Sequence, residues 1–222
     1  MKADARPSYP FEGLRRRHYA ALLADPPWKF KSYTALPKNW REVMRGSRAI
    51  ERHYDVMDLP AIAALPVLEV MAPDAHLFLC ATGPCLNQAF FVMEQWGFKY
   101  SGVAFVWIKV RRGMRIPLTI LEGHTALSLD DFFHVGLGLT TRKNVEFVLL
   151  GRRGNARRLA KDVREVVVAP VREHSRKPDD FAQRIERYCA GPFLELFART
   201  TRIGWTTWGN DIFKFAGTRA PL

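Results

Sequence analysis

The chain has 222 residues, 48% hydrophobic and 25% charged, the balance of a folded domain and not of a disordered chain. Its 34 Lys and Arg against 22 Asp and Glu give a formal net charge of +12, which favours polyanions: nucleic acid first, an anionic membrane or acidic protein second. No apolar run is long enough to cross a bilayer, and the opening MKADARPSYPFEG lacks an apolar secretory segment, so the expectation is one domain over 1–222, in the cytoplasm.

Apolar runs bounded by turn residues predict strands at 20–24, 76–81, 103–109, 145–150, 165–169 and 193–198, with 203–208 as a last strand. Helix-like stretches lie between them. The first, 59–70, follows Asp58 as an N-cap and has Pro60 in its first turn. The second, 84–96, stops at Gly97, a C′ glycine. The third, 178–189, opens on Pro178 and two acids and carries Phe181, Ile185 and Tyr188 on one face. Strands with little polar alternation, interleaved with helices, indicate an α/β fold with a mostly parallel sheet covered on both faces. Ligands of such sheets sit outside the carboxyl ends of the strands. Two long polar stretches, about 29–58 and 111–141, flank strand ends and are expected to be functional loops.

The sharpest local signal follows the first strand: Asp25-Pro26-Pro27-Trp28. Two prolines fix φ and remove backbone donors, leaving a stiff run of carbonyl acceptors. Asp25 adds a carboxylate at the mouth of the sheet, and Trp28 a flat aromatic face. Together they suit one task, gripping an exocyclic amino group on a flat heterocycle.

DPPW after an apolar strand resembles the catalytic motif of amino-group methyltransferases dependent on S-adenosylmethionine. Further segments narrow the likeness. His174-Ser175-Arg176-Lys177-Pro178-Asp179 resembles the HS-x-KP-D/E segment of the MT-A family of adenine-N6 methyltransferases, which are related to the catalytic subunit of the messenger-RNA adenosine methyltransferase. Leu194 to Arg199 resembles its ELFAR segment, Gly204 to Asp211 its closing GW-x-x-WGN, and Thr141 to Glu146 its TR-x-N-x-E. The matches run in the family's order from Tyr19 to Asp211.

The resemblance implies a Rossmann-like methyltransferase fold in circularly permuted order, catalytic motif before cofactor motif. It implies S-adenosylmethionine as methyl donor and catalytic roles for Asp25, Pro26, Pro27 and Trp28. Lys177 would meet the methionine carboxylate, Glu195 shape the pocket and Arg199 bind the ribose hydroxyls. Asn210 and Asp211 would meet the ribose or adenine end. The family often has Glu or Gln where Asp211 stands, and Thr200, Thr201 and Arg202 depart from the His-Asn pair of some relatives. No Gly-rich cofactor loop is present; ELFAR replaces it in this family.

Six histidines without paired ligand spacing, and three cysteines, Cys80, Cys85 and Cys189, suggest no metal site and a reducing compartment. Basic clusters at Arg15–Arg17, at Arg111, Arg112 and Arg115, and at Arg152, Arg153, Arg157 and Arg158 are expected to contact nucleic acid near the pocket. DNA is favoured over RNA because the chain reads as a bare catalytic domain without an appended zinc finger, like compact bacterial or phage members. RNA methylation, and a catalytically inactive nucleic-acid-binding subunit, are the alternatives. Methylation of a protein or small-molecule amino group is disfavoured by the family-specific segments. A homodimer stays open.

Overall fold

The computed structural model describes residues 10–29, 56–113, 132–136, 141–173, 176–210 and 212. Strands β1 (Tyr19–Ala24), β2 (Met71–Ala81), β3 (Lys99–Val110), β4 (Val145–Arg153), β5 (Val166–Pro170), β6 (Phe193–Leu196) and β7 (Trp205–Trp208) form one sheet in the order β5-β3-β4-β2-β1-β6-β7. All seven predicted strands are present. Six run in one direction, and β4 alone is antiparallel to its neighbours β2 and β3.

Side chains of a strand alternate between faces, and here both faces are apolar. Leu22, Ala24, Leu77, Leu79, Leu149, Leu194 and Leu196 point into one core. Ala21, Leu23, Phe78, Cys80, Phe105 and Val148 point into the other. The first core is covered by α1 (Leu59–Ala63), α2 (Val67–Val70) and α3 (Leu86–Gln95) through Ile62, Val67, Ala89, Val92 and Met93. The second is covered by α4 (Asp180–Tyr188) through Phe181, Ala182 and Ile185. Phe181 stacks on Phe105 at 5.5 Å and Phe105 on Phe78 at 6.0 Å between ring centroids. The chain is therefore an α/β protein with helices on both faces, as the strand pattern predicts.

The helices differ from prediction in detail. The single helix expected over 59–70 is two short ones, α1 and α2, separated at Leu65-Pro66. Pro66 has no N–H to continue a helix and disfavours helical geometry at the residue before it. Asp58 occupies the N-cap position of α1 but makes no side-chain cap; its carboxylate meets Lys29 at 3.0 Å instead. Helix α3 starts after a 3₁₀ turn at Gly83–Cys85. It ends as predicted at Gly97, whose φ of +74° suits glycine, and a Cβ there would lie 2.6 Å from Leu68. Gly97 N–H donates to Glu94 O at 2.8 Å and Phe98 N–H to Met93 O at 3.0 Å, closing the last carbonyls of the helix. No described helix is long and apolar enough to cross a membrane.

The two long loops, 29–58 and 111–141, lie largely outside the described residues.

Candidate active site

The carboxyl ends of the parallel strands meet where β1, β2 and β6 lie side by side. Leu23 is in register with Phe78 and Glu195, and Ala24 with Leu79 and Leu196. Asp25 leaves β1 at that edge. A cleft opens there, lined by Asp25, Cys80, Lys177, Glu195, Phe197, Arg199 and Arg202 among others.

The DPPW segment is fixed by its own backbone and by the core. Trp28 N–H donates to Pro26 O at 2.8 Å, and Met57 N–H to Pro27 O at 3.0 Å. The Trp28 indole N–H donates to Cys80 O at 2.9 Å, and the residue is only 4% exposed. The flat aromatic face expected at Trp28 is therefore turned into the core: Trp28 is an anchor that ties the segment to β2. An aromatic ring with one buried N–H is held where that donor finds its acceptor. The Pro26 carbonyl, already accepting one bond, retains a second lone pair.

Above this segment runs a chain of four charges. Lys177 Nζ lies 3.0 Å from Asp25 Oδ2 and 3.0 Å from Glu146 Oε2. Lys109 Nζ lies 2.5 Å from Glu146 Oε1 and 4.8 Å from the centre of the Trp107 ring. Burial alone would raise the Glu146 carboxyl, but the Lys177 and Lys109 ammonium groups bring it down to about 2. Burial alone would lower Lys177, but the Asp25 and Glu146 carboxylates overcome it and hold its pKa above the usual lysine range. Glu146 reaches this edge because β4 is reversed, so its beginning lies beside the end of β2, with Phe147 opposite Ala81.

Lys177 is aimed by its own segment. The Arg172 guanidinium donates to Lys177 O at 2.5 Å and to Asp179 Oδ2 at 2.8 Å, clamping the turn before α4 from both sides. Asp179 also faces Arg202 at 3.6 Å.

The turn after β6 contains no glycine. Phe197 takes φ of +62° there, a left-handed conformation uncommon for a residue with a Cβ. Such strain concentrates at functional sites. Beside it, Glu195 Oε2 and Arg202 Nε are buried, face each other at 3.9 Å, and have no hydrogen-bond partner among the described residues. Burial, followed by Asp25 and Asp179, pushes the Glu195 carboxyl up to about 7 against the opposing pull of Arg202. A ligand carrying both donors and acceptors would satisfy the two atoms.

The structure thus gathers Asp25, Lys177, Glu195 and Arg199 around one cleft; Pro26, Pro27 and Trp28 follow Asp25 in the chain and are not among its lining residues. Asn210 is exposed just beyond β7, and Asp211 lies outside the described residues. Arg111 and Arg112 are exposed at the same edge, after β3; Arg111 Nε donates to Phe133 O at 3.2 Å. Arg152 and Arg153 do not join the site. They pair with His76 and Ala75 near the start of β2, at the opposite edge of the sheet. The sequence motifs give no role to Glu146, Lys109, Arg172 or Arg202. Glu146 stands inside the TR-x-N-x-E segment, and Arg202 three residues past ELFAR, so both were within reach of the motifs. Among the described residues no group of three or more His, Cys, Asp or Glu is placed to hold a metal ion.

The MT-A70 family model matches residues 19–211. The type II methyltransferase M.MunI of Mycoplasma sp. is 29% identical over 91% of this chain and 81% of its own. The human N(6)-adenine-specific methyltransferase METTL4 is 26% identical over 90% of this chain and 39% of its own. The human N(6)-adenosine-methyltransferase catalytic subunit METTL3 is 26% identical over 87% of this chain and 28% of its own.

Proposed function

The chain belongs to the MT-A70 family, and we propose that it moves a methyl group from S-adenosylmethionine to the exocyclic amino nitrogen of adenine in DNA. The observation that carries this reading is the Asp25 carboxylate, set on the rigid DPPW turn and ion-paired with Lys177 in a cleft that also holds unpartnered polar atoms. The DNA half of the reading is supported by the likeness to the type II methyltransferase, 29% identical over 91% of this chain.

The cleft suits the cofactor. A ligand with a carboxylate, an ammonium group and hydroxyls can satisfy Glu195 Oε2 and Arg202 Nε and meet a lysine at once. Lys177, Glu195, Arg199 and Asn210, together with Asp211, are the residues that would hold it. When bound, S-adenosylmethionine supplies an electrophilic methyl group on a sulfonium sulfur.

The protein's part is to prepare the acceptor. The adenine amino nitrogen is a weak nucleophile because its lone pair is delocalised into the ring. Asp25 accepts one of its N–H groups and the free lone pair of the Pro26 carbonyl accepts the other. Two acceptors held in a fixed geometry favour a pyramidal nitrogen with its lone pair released. Lys177 fixes where the Asp25 carboxylate points, and Glu146 fixes Lys177. Rate then comes from positioning and electrostatics. In a duplex the adenine must first be flipped out of the stack.

The test is transfer by the purified protein to unmethylated adenine-containing oligonucleotides of DNA and of RNA, read as N6-methyladenine by nucleoside mass spectrometry. The reading expects product on DNA; product on RNA alone overturns the DNA assignment. Calorimetric titration with S-adenosylmethionine separates this reading from an inactive nucleic-acid-binding subunit, which would show no cofactor binding.

A further inference from the structure

We propose that the edge of the sheet opposite the active site, where the parallel strands begin, is a second contact surface for the sugar-phosphate backbone of a nucleic acid longer than the segment that fills the site. The proposal rests on the reading that the chain acts on nucleic acid. It concerns where that substrate runs, not the chemistry at Asp25.

In and around the cleft the cations are Lys109, Arg172, Arg176, Lys177, Arg199 and Arg202. Against them stand Asp25, Glu146, Glu173, Asp179 and Glu195, so the site is close to neutral. Most of the chain's formal +12 therefore lies outside the cleft, part of it at Arg111, Arg112 and Arg142 on the same edge and part at the opposite edge.

At the opposite edge two basic segments come together. Arg15, Arg16 and Arg17 precede β1, and the backbone N–H groups of Arg17 and His18 donate to Glu69 O and Val70 O just ahead of β2. Arg152 pairs with His76 of β2, and Arg157 and Arg158 follow in the loop after β4. All six arginines are exposed. Strands β1 and β4 flank β2, so the two segments are about 10 Å apart at the usual ~4.8 Å strand spacing. Of the acids nearby, Glu69 pairs with Arg16 at 3.4 Å, Asp162 with Arg187, and Asp74 accepts from the N–H of Asn155 at 2.7 Å.

The loop after β4 is held in place. Arg152 donates to Ala156 O at 2.7 Å, Leu159 N–H donates to Tyr188 O at 2.7 Å, and Ala156 is buried. Arginines on an anchored loop lose less freedom on binding than those on a free tail. Guanidinium groups suit phosphate oxygens and read no sequence. From Ala75 to Ala81 the sheet is about 20 Å long at ~3.3 Å per residue. That equals about six base pairs at ~3.4 Å each, so a short substrate stays at the site and a long one reaches the second surface.

The experiment compares, by fluorescence anisotropy between 50 and 200 mM salt, a 24-base-pair DNA duplex with an 8-base-pair duplex whose adenine is central, so that only ~14 Å of duplex extends to either side of the site. The probe proteins are the full chain and its Arg15→Gln/Arg157→Gln/Arg158→Gln variant, with an Arg157→Gln/Arg158→Gln variant as a milder second case. The expected result is a loss of at least ~10-fold in affinity for the long duplex and a salt slope shallower by about 2 to 3 for the triple variant. The short duplex, the melting temperature and S-adenosylmethionine affinity should hold. Unchanged long-duplex affinity and slope, or equal losses on both lengths, overturns the proposal. So does binding of the unsubstituted chain to anionic lipid vesicles, in preference to duplex, that the substitutions abolish. Because the readout is binding alone, it can succeed or fail whatever the methyl-transfer assay returns.

Discussion

Replacing Glu146 by Gln removes one carboxylate from the Asp25–Lys177–Glu146–Lys109 chain, taking from Lys109 its carboxylate partner and leaving Lys177 with Asp25 alone. The Glu146 carboxyl sits near 2, against 4.5 for an ordinary glutamate. At about 1.36 kcal/mol per pH unit, that gap corresponds to about 3 kcal/mol of folding stability at neutral pH. Breaking a buried ion pair by removing one partner typically costs about 3 to 5 kcal/mol, the same range. For a chain of this size the melting temperature should fall by about 6 to 12 °C. The sign of the pH dependence follows from the depressed value: the contribution is full above about 4.5 and is lost as pH falls through about 2. The difference between wild type and Glu146→Gln should therefore be about 3 kcal/mol at pH 7 and about 1 kcal/mol at pH 3. Urea unfolding at both pH values measures it. A loss below about 1 kcal/mol at pH 7, or a difference that does not shrink in acid, refutes the assignment of Glu146 as the carboxylate that holds Lys177.

Glu195 has the opposite sign. Its carboxyl is raised to about 7, so its contribution is present below about 4.5 and is lost as pH rises through about 7, on the order of 2 to 3 kcal/mol. Thermal melts of the unliganded protein at pH 5.5 and pH 8 should show that loss in wild type and not in Glu195→Gln; parallel behaviour of the two proteins contradicts it. Gly209→Ala places a Cβ 2.7 Å from Ala198 O and 2.8 Å from Ala198 N, next to the 3.0 Å bond from Ala198 N–H to Trp208 O. The backbones must part there, so calorimetry should find S-adenosylmethionine binding weakened at least ~10-fold together with a lower melting temperature. Trp28→Phe keeps the apolar ring but removes the donor to Cys80 O, and chemical denaturation should register a loss of about 1 to 3 kcal/mol.

Much of the site was legible because it is written in short contiguous segments. DPPW follows β1, HSRKPD precedes α4, and ELFAR and WGN span the ends of β6 and β7, and a strand's end is readable from its apolar run. The contributions that escaped come from long-range pairing. Glu146 meets Lys177 only because β4 runs against its neighbours, and an apolar run such as 145–150 carries no record of direction. The same reversal sends Arg152 and Arg153 to the far edge. Trp28 reads locally as an exposed aromatic; its burial depends on the carbonyl of Cys80, 52 residues away. The left-handed turn at Phe197 was invisible for a different reason: no glycine marks it, and neighbouring structure holds the strain.

The central claim is that Asp25 prepares an adenine amino group in DNA for methylation. Its most direct measurement is the nucleoside composition of DNA and RNA from a host without adenine methylation, expressing either the wild-type chain or Asp25→Asn. The account predicts N6-methyladenine in the DNA of the wild-type strain. With Asp25→Asn it predicts a drop of at least ~10³-fold, while the purified variant still binds S-adenosylmethionine. Methylated DNA at wild-type level with Asp25→Asn, or no N6-methyladenine in DNA with the wild-type chain, contradicts it.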